Sequence, residues 1–573
     1  MRLTLALLAL ILPLGSIGAQ DFKAVGAPAD PKVEVAWNRY YDYDGITDIC
    51  RRLAKAFPDL VRMESIGRST QGREMWALTV TDFKRGGDAA RKPGFYIDGN
   101  IHSNEIQGTE VALYTAWYLA EMHGRVGMID TLLEGRVFYI VPTINPDARE
   151  DFMKKPNTMH SPRSGMAPRD DDGDGLVDED GPDDLDGDGS ITQMRRRDVN
   201  GRWRASEEDP RMMVRAKAGE PGTHEMLEEE GIDNDGDGLV NEDGPGFYDP
   251  NRDWGWNWQP RYVQYGADRY PFTLQENRNV RDFVMSHPNI AGAQSYHNAG
   301  GMILRPPGAE EDAPTFTSND VEVYDVIGKR GEQMLPGYKY MTTYKDLYTT
   351  YGGEVDWFYS MRGVYAFTNE LWSSFNMFGT RHEEWFGNRK DLYSFDRFVL
   401  FGEGIVDWHT VEHPQYGPVE VGGATKNYTR INPSFLIEEM AHRNMAFTLY
   451  HAWQMPQVVV QKVDRRRLDG GLTEVTATIA NTRVIPTRTE WDVRNGISRA
   501  DLVTIAGGTV LSGAIVADRN LGLADEQKHR PERIAVPSIP GQGYVTVRWI
   551  VKGSGPFTVT VDSQKGGVAI AEG

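Results

Sequence analysis

The chain has one cysteine, Cys50, among its 573 residues, and this excludes an intrachain disulfide framework. Cys50 falls in an apolar-periodic segment and reads as a buried filler rather than a reactive thiol. A basic excess is missing as well: 62 Lys and Arg stand against 83 Asp and Glu, for a net charge of −21. Such a balance repels nucleic acid and anionic membrane surfaces, so neither is expected as a partner. Long hydrophobic runs are also absent. The one apolar stretch, Leu3 to Leu14, is shorter than the roughly 20 residues a membrane-spanning helix needs. It follows Arg2 and precedes the small residues Gly15, Ser16, Gly18 and Ala19, the pattern of a cleaved export signal over residues 1–19. The expected mature protein is therefore secreted or periplasmic, with no membrane span.

What remains is ordinary for a globular protein, with 40% hydrophobic and 25% charged residues. At this length two or three domains are expected. Ile46, Ile49, Leu53 and Phe57 recur at helical spacing, and Pro58 ends the pattern. Strand-like runs follow at 75–80, 94–97, 137–141, 290–295 and 364–368, with a long helical pattern from Glu105 to Met122. Strands alternating with helices predict an α/β domain whose mixed, mostly parallel sheet is flanked by helices. Ligand sites in such sheets gather beyond the carboxyl ends of the strands. This domain is expected over 20–412, interrupted by an Asp- and Gly-rich insertion at 155–248. A connector follows at 413–455, with a helical piece near Phe435 to Tyr450. Residues 456–573 alternate apolar and polar positions between Gly and Pro and predict a C-terminal β-sandwich.

The chemistry starts at DGNIHSNEIQG, where His102 and Glu105 stand three apart just after an expected strand. Imidazole and carboxylate both ligate zinc, and a catalytic zinc uses three protein ligands plus an open position. A lone H-x-x-E is weak, since many surface loops contain it. However, His297 closes a second strand in GAQSYHNAGG, and Glu370 closes a third in AFTNELW. Three strands thus deliver four metal- and proton-handling side chains to one rim of the sheet.

From about Tyr40 to Trp408, leaving out the acidic insertion, the chain resembles the carboxypeptidase A family of zinc peptidases. The resemblance implies one catalytic Zn2+ on His102, Glu105 and His297, with Glu370 as general base. It implies that Asn251 and Arg252, in an N-R-x-W motif with Trp254, bind the free C-terminal carboxylate of a peptide substrate. Tyr348, four residues ahead of a Gly-Gly pair, matches the mobile tyrosine that closes over the bound residue. Val355 matches a residue of the specificity pocket; an acidic residue there would favour Lys or Arg, whereas valine implies an apolar or broad preference. Glu354 beside it would change that if a shifted loop presented it. The family also uses an arginine downstream of an N-P-D motif, here Asn145 to Asp147, to polarise the scissile carbonyl. Arg163 lies near the expected distance, and Arg169 is its rival because the adjoining insertion blurs the spacing.

Within the insertion, DDDGDGLVDEDGP recurs as DNDGDGLVNEDGP. Asp170, Asp172, Asp174, Asp178 and Asp180 form the first loop, and Asp233, Asp235, Asp237, Asn241 and Asp243 form its repeat. Asp184, Asp186 and Asp188 make a shorter version. Calcium takes six to eight oxygen ligands, and alternate carboxylates around a turn glycine supply them. The loops resemble thrombospondin type-3 repeats, which implies structural Ca2+; a flexible acidic loop is the alternative, since such charge density self-repels without a cation.

Three functions are compatible with these residues: an exported zinc carboxypeptidase, a murein-peptide hydrolase or deacylase with the same zinc site, and a non-catalytic calcium-stabilised surface-binding protein. The Arg252 and Tyr348 clamp speaks against deacylation, and Glu370 with all three ligands speaks against a silent site.

Overall fold

The computed structural model describes residues 25–573, apart from 162, 171–172, 245, 247, 373–388, 429 and 519. The expected export signal and Asp172 lie outside the described residues. Among the described residues, fourteen strands precede the C-terminal region: β1 Val61–Arg68, β2 Glu74–Val80, β3 Gly94–Gly99, β4 Val137–Val141, β5 Gln193–Arg197, β6 Trp203–Ala205, β7 Met213–Arg215, β8 His224–Glu229, β9 Ile290–Asn298, β10 Met302–Arg305, β11 Lys339–Thr342, β12 Tyr365–Leu371, β13 Ile405–His413 and β14 Gly417–Ala424.

The central sheet has eight strands in the order β1-β2-β4-β3-β9-β12-β10-β11. Its middle, β4-β3-β9-β12, is parallel, and antiparallel pairs join it to both flanks. Every residue of β3, β4 and β9 is buried, as expected for parallel strands covered on both faces. Helix Tyr43–Ala56 starts where the Asp42 side chain accepts from the Gly45 amide, and it turns Ile46, Ile49, Cys50 and Leu53 into one core. Burial pushes the Cys50 thiol up to about 12, so it is inert. Helix Gln107–Met122 is buried almost all round between the sheet and helix Ile437–Trp453.

Two boundaries move in ways that matter. The helix expected from Glu105 starts at Gln107, because Glu105 belongs to the loop after β3, and its carboxylate faces His102 and His297. The strand expected at 364–368 runs to Leu371, which sets Glu370 inside the ladder.

The acidic stretch contains strands that its sparse apolar pattern did not signal. β5 to β8 join β13 and β14 in a six-stranded sheet, held by a small core of Met194, Val419 and Val421. The two long acidic loops meet at a bridge between Asp180 and Asp243. At the C-terminus a five-stranded and a four-stranded antiparallel sheet form a sandwich. Val475, Ala477, Ile479, Val547 and Trp549 face Val503, Ile505, Val559 and Val561 across its core. Among the described residues no helix is long and apolar enough to cross a membrane.

Candidate metal centre

The loop after β3 can turn tightly because two glycines touch: a Cβ on Gly99 would lie 2.5 Å from the Gly108 carbonyl carbon. That contact holds residues 100–106 over the end of the sheet. Asn100 braces the loop from below, its amide donating to the carbonyls of His102 and Ser103. β9 runs alongside and ends at the same rim, bringing in His297.

Three buried side chains converge there. His102 Nδ1 lies 3.0 Å from Glu105 Oε1, and His297 Nδ1 lies 2.9 Å from Glu105 Oε2 and 3.1 Å from His102 Nδ1. His102 Nε2 is 2.8 Å from Asp249 Oδ1. Burial alone would raise the Asp249 carboxyl, but the neighbouring His102 and Arg252 hold it well below the usual range. Ionised Asp249 therefore takes the Nε2 proton's hydrogen bond and leaves Nδ1 with a lone pair facing inward. Two imidazole nitrogens and a carboxylate turned onto one point form the donor set of a divalent zinc site, and the carboxylate–histidine pair behind it fixes the ring. His297 Nε2 is buried with no hydrogen-bond partner. These residues fit zinc.

Glu370 is the direct ladder neighbour of His297, on β12 beside β9. Burial, then the charge of Glu105, pushes its carboxyl up to about 7, while His297, Arg163 and Arg430 pull the other way. Arg163 reaches the centre: its Nη1 donates to Glu105 Oε1 at 2.7 Å, and its Nε lies 3.6 Å from Asp249 Oδ2. Arg169 stays outside, its backbone paired with Asp178.

Beside these three side chains, Arg252 is nearly buried, and its Nη2 lies 3.5 Å from the Tyr348 hydroxyl. Asn251 accepts from the Glu354 amide through Oδ1 at 2.9 Å, which ties the 249–252 turn to the start of helix Glu354–Arg362. Tyr348 is 48% exposed and so has room to move. Val355 packs in the apolar cluster of Trp254, Trp357 and Phe358. Glu354 is buried against Ser295, which also donates to Asp98. Burial and the facing Asp98 raise the Glu354 carboxyl well above its usual range, and burial raises Asp98 too.

Sequence reasoning missed three parts of this constellation. Asp249 stood just ahead of the N-R-x-W motif, two residues before Asn251. Asp98 was visible as the acidic residue in the otherwise apolar strand before His102. Arg430 carried no signal, being an isolated basic residue in the connector.

The acidic loops share one geometry. Asp170, Asp184 and Asp233 each accept two glycine amides through their two oxygens, from Gly173 and Gly175, Gly187 and Gly189, and Gly236 and Gly238. Carboxylate oxygens converge in three groups: Asp184, Asp186 and Asp188; Asp233, Asp235 and Asp237; and Asp180, Asp235 and Glu242. Burial, then the neighbouring Asp180, pushes Glu242 up to about 7. Among the described residues Asp170, Asp174, Asp178, Asn241 and Asp243 fall in none of these groups. The Asn241 amide instead donates to the Glu230 carbonyl.

The sequence matches the family described as zinc carboxypeptidase over residues 46–168 and 222–384, and a domain of unknown function over 457–572. It is 26% identical to carboxypeptidase B of Astacus astacus, over 58% of this chain and 87% of that one. It is 33% identical to the inactive metallocarboxypeptidase ECM14 of Ajellomyces capsulatus (strain H143), over 22% of this chain and 21% of that one. The carboxypeptidase A structure from Helicoverpa armigera superposes with a TM-score of 0.44 at 16% identity, covering 73% of this chain and 74% of that one.

Proposed function

The chain belongs to the zinc carboxypeptidase family, and from that premise we propose that it removes single residues from the free C-terminal end of peptides outside the cytoplasm. The observation that carries this reading is the meeting of His102, Glu105 and His297 at one point, with Glu370 on the adjoining strand. The relative described as inactive does not alter it, because all four side chains are present in this chain.

His102 and His297, through Nδ1, and Glu105 would hold the metal. Zinc there would supply Lewis acidity toward the scissile carbonyl and toward water. Glu370 takes the proton from the attacking water and delivers it to the departing amine nitrogen. Arg163 points its guanidinium at the developing charge on the carbonyl oxygen. Arg252 grips the terminal carboxylate with paired, charge-assisted hydrogen bonds, Asn251 positions that turn, and Tyr348 closes over the bound residue. Val355 and its aromatic neighbours give the terminal side chain an apolar wall, which supports an apolar or broad preference. Export rests on the N-terminal segment. Structural Ca2+ in the acidic loops rests on oxygen-only donor groups whose mutual repulsion a divalent cation would relieve.

The test compares a peptide bearing a free C-terminal carboxylate with its C-terminal amide. Chelator-sensitive release of the terminal residue, much faster from the first than from the second and largely lost in Glu370→Gln, is expected. Equal cleavage of the amide, or an unaffected Glu370→Gln variant, overturns the reading.

A further inference from the structure

A second guanidinium reaches the metal centre from outside the region that matches the family. Arg430 lies past residue 384, where that match ends, in the segment between β14 and helix Ile437–Trp453. Its Nη2 donates to the Asn298 carbonyl at 2.7 Å and lies 3.2 Å from Glu105 Oε1, the oxygen that Arg163 Nη1 also contacts. The side chain is 12% exposed.

The backbone around it is fastened to the metal-binding loop. Ile431 packs against Ile106 and Phe152. The Arg430 carbonyl accepts from the Asn298 amide at 3.1 Å, and the Asn432 amide donates to Gln107 Oε1 at 2.5 Å. Ile106 and Gln107 directly follow Glu105, so the segment and the ligand loop move as one body.

The donors of Arg430 are incompletely used. Among the described residues its Nε is buried without an acceptor, and Nη1 has a 3.4 Å contact to His160 Nδ1. Two guanidiniums share one carboxylate oxygen, and once a divalent cation draws on that carboxylate their positive charge is no longer balanced by Glu105. A negative charge arriving with the substrate restores the balance, and the only such charge that grows during reaction is on the scissile carbonyl oxygen. A rigidly held guanidinium whose field already reaches Glu370 is suited to that task.

Resting on the carboxypeptidase reading above, we propose that Arg430 is a catalytic residue that acts beside Arg163, so that two guanidiniums meet the charge developing on the carbonyl oxygen. The connector is then part of the active site, and the matched domain alone is incomplete.

The test uses the full-length zinc-loaded chain, its Arg430→Gln and Arg430→Lys variants, and two probes followed by calorimetry. One probe is a peptide analogue with an anionic tetrahedral phosphonate in place of the scissile amide; the other is a free terminal amino acid, which occupies the Arg252 clamp alone. Removing one such donor costs about 10²-fold or more in related sites. Arg430→Gln should therefore weaken phosphonate binding and lower kcat by similar factors of about 10² or more, with Arg430→Lys between it and wild type. Amino-acid binding, zinc affinity and melting temperature should hold. Unchanged phosphonate affinity and kcat overturn the proposal. So does a loss of zinc affinity that accounts for the fall in activity, since Arg430 would then only brace Glu105. A wild-type chain that cleaves no peptide rejects the exopeptidase reading, while the phosphonate arm still reports on Arg430.

Discussion

Asp249 Oδ1 sits 2.8 Å from Nε2 of His102 and also accepts the Asn251 amide at 2.7 Å. One carboxylate therefore orients His102, the proposed zinc ligand, and the turn that carries Asn251 and Arg252, the proposed carboxylate clamp. Asp249→Ala should free the His102 ring to flip and lower zinc affinity by about 10- to 100-fold, the usual cost of losing such a partner. Chelator competition reads it directly. If zinc binding is unchanged, Asp249 does not set the tautomer. Asp249→Asn should fall between, because an amide oxygen can still accept from Nε2 but carries no charge.

As the proposed base, Glu370 can act only when ionised, and its surroundings set when that happens. Burial pushes its carboxyl up to about 7, and bound zinc, as a nearby positive charge, brings it back down. The acid limb of kcat/KM should accordingly lie below pH 7, with activity rising as pH rises through it. Glu370→Gln should keep zinc and its melting temperature but lose about 10² to 10⁴ in kcat, and the acid limb should vanish from the residual rate. A limb that survives the substitution belongs to another group.

His102, Glu105, His297 and Glu370 were legible because each closes or follows an apolar strand, and strand ends on one side of a parallel sheet share a rim. The sandwich was legible from alternation alone, as the strict alternation of half-buried and buried residues along Leu472–Asn481 shows. Short helix Glu490–Asn495 was not, since one turn and a half leaves no periodicity to detect. The six-stranded sheet escaped notice because its core rests on three buried side chains and its strands are rich in Arg and Glu. Arg430 was invisible for a different reason: only the folded chain brings residue 430 to residue 105.

Arg252 offers a prediction about ends rather than rates. Arg252→Gln should lower kcat/KM for peptides with a free terminal carboxylate by about 10- to 200-fold, the worth of a charge-assisted hydrogen bond of ~1.5–3 kcal/mol. The same change should leave the slow cleavage of the corresponding amide nearly untouched, so the ratio between the two substrates collapses. Steady-state assays on the matched pair decide it. A parallel fall for both would place Arg252 in a supporting role.

The acidic loops make the last prediction. Asp184, Asp186 and Asp188 and the matching Asp233, Asp235 and Asp237 present converging oxygens, and His409 Nε2 lies 3.2 Å from Asp186 Oδ2 at the edge of the first group. A cation that binds only the folded form stabilises it by about 2.7 kcal/mol when its concentration is 100 times Kd. Adding calcium to a calcium-stripped, zinc-loaded chain should therefore raise the melting temperature and protect 170–243 from proteolysis. Asp184→Asn and Asp233→Asn should each remove part of that gain, because each takes a charge from a different loop. Substituting the partly buried Asp198, which lies outside every group, should leave it intact. Melting curves that do not move with calcium, in wild type and variants alike, would mean that the loops hold their shape through glycine amides alone.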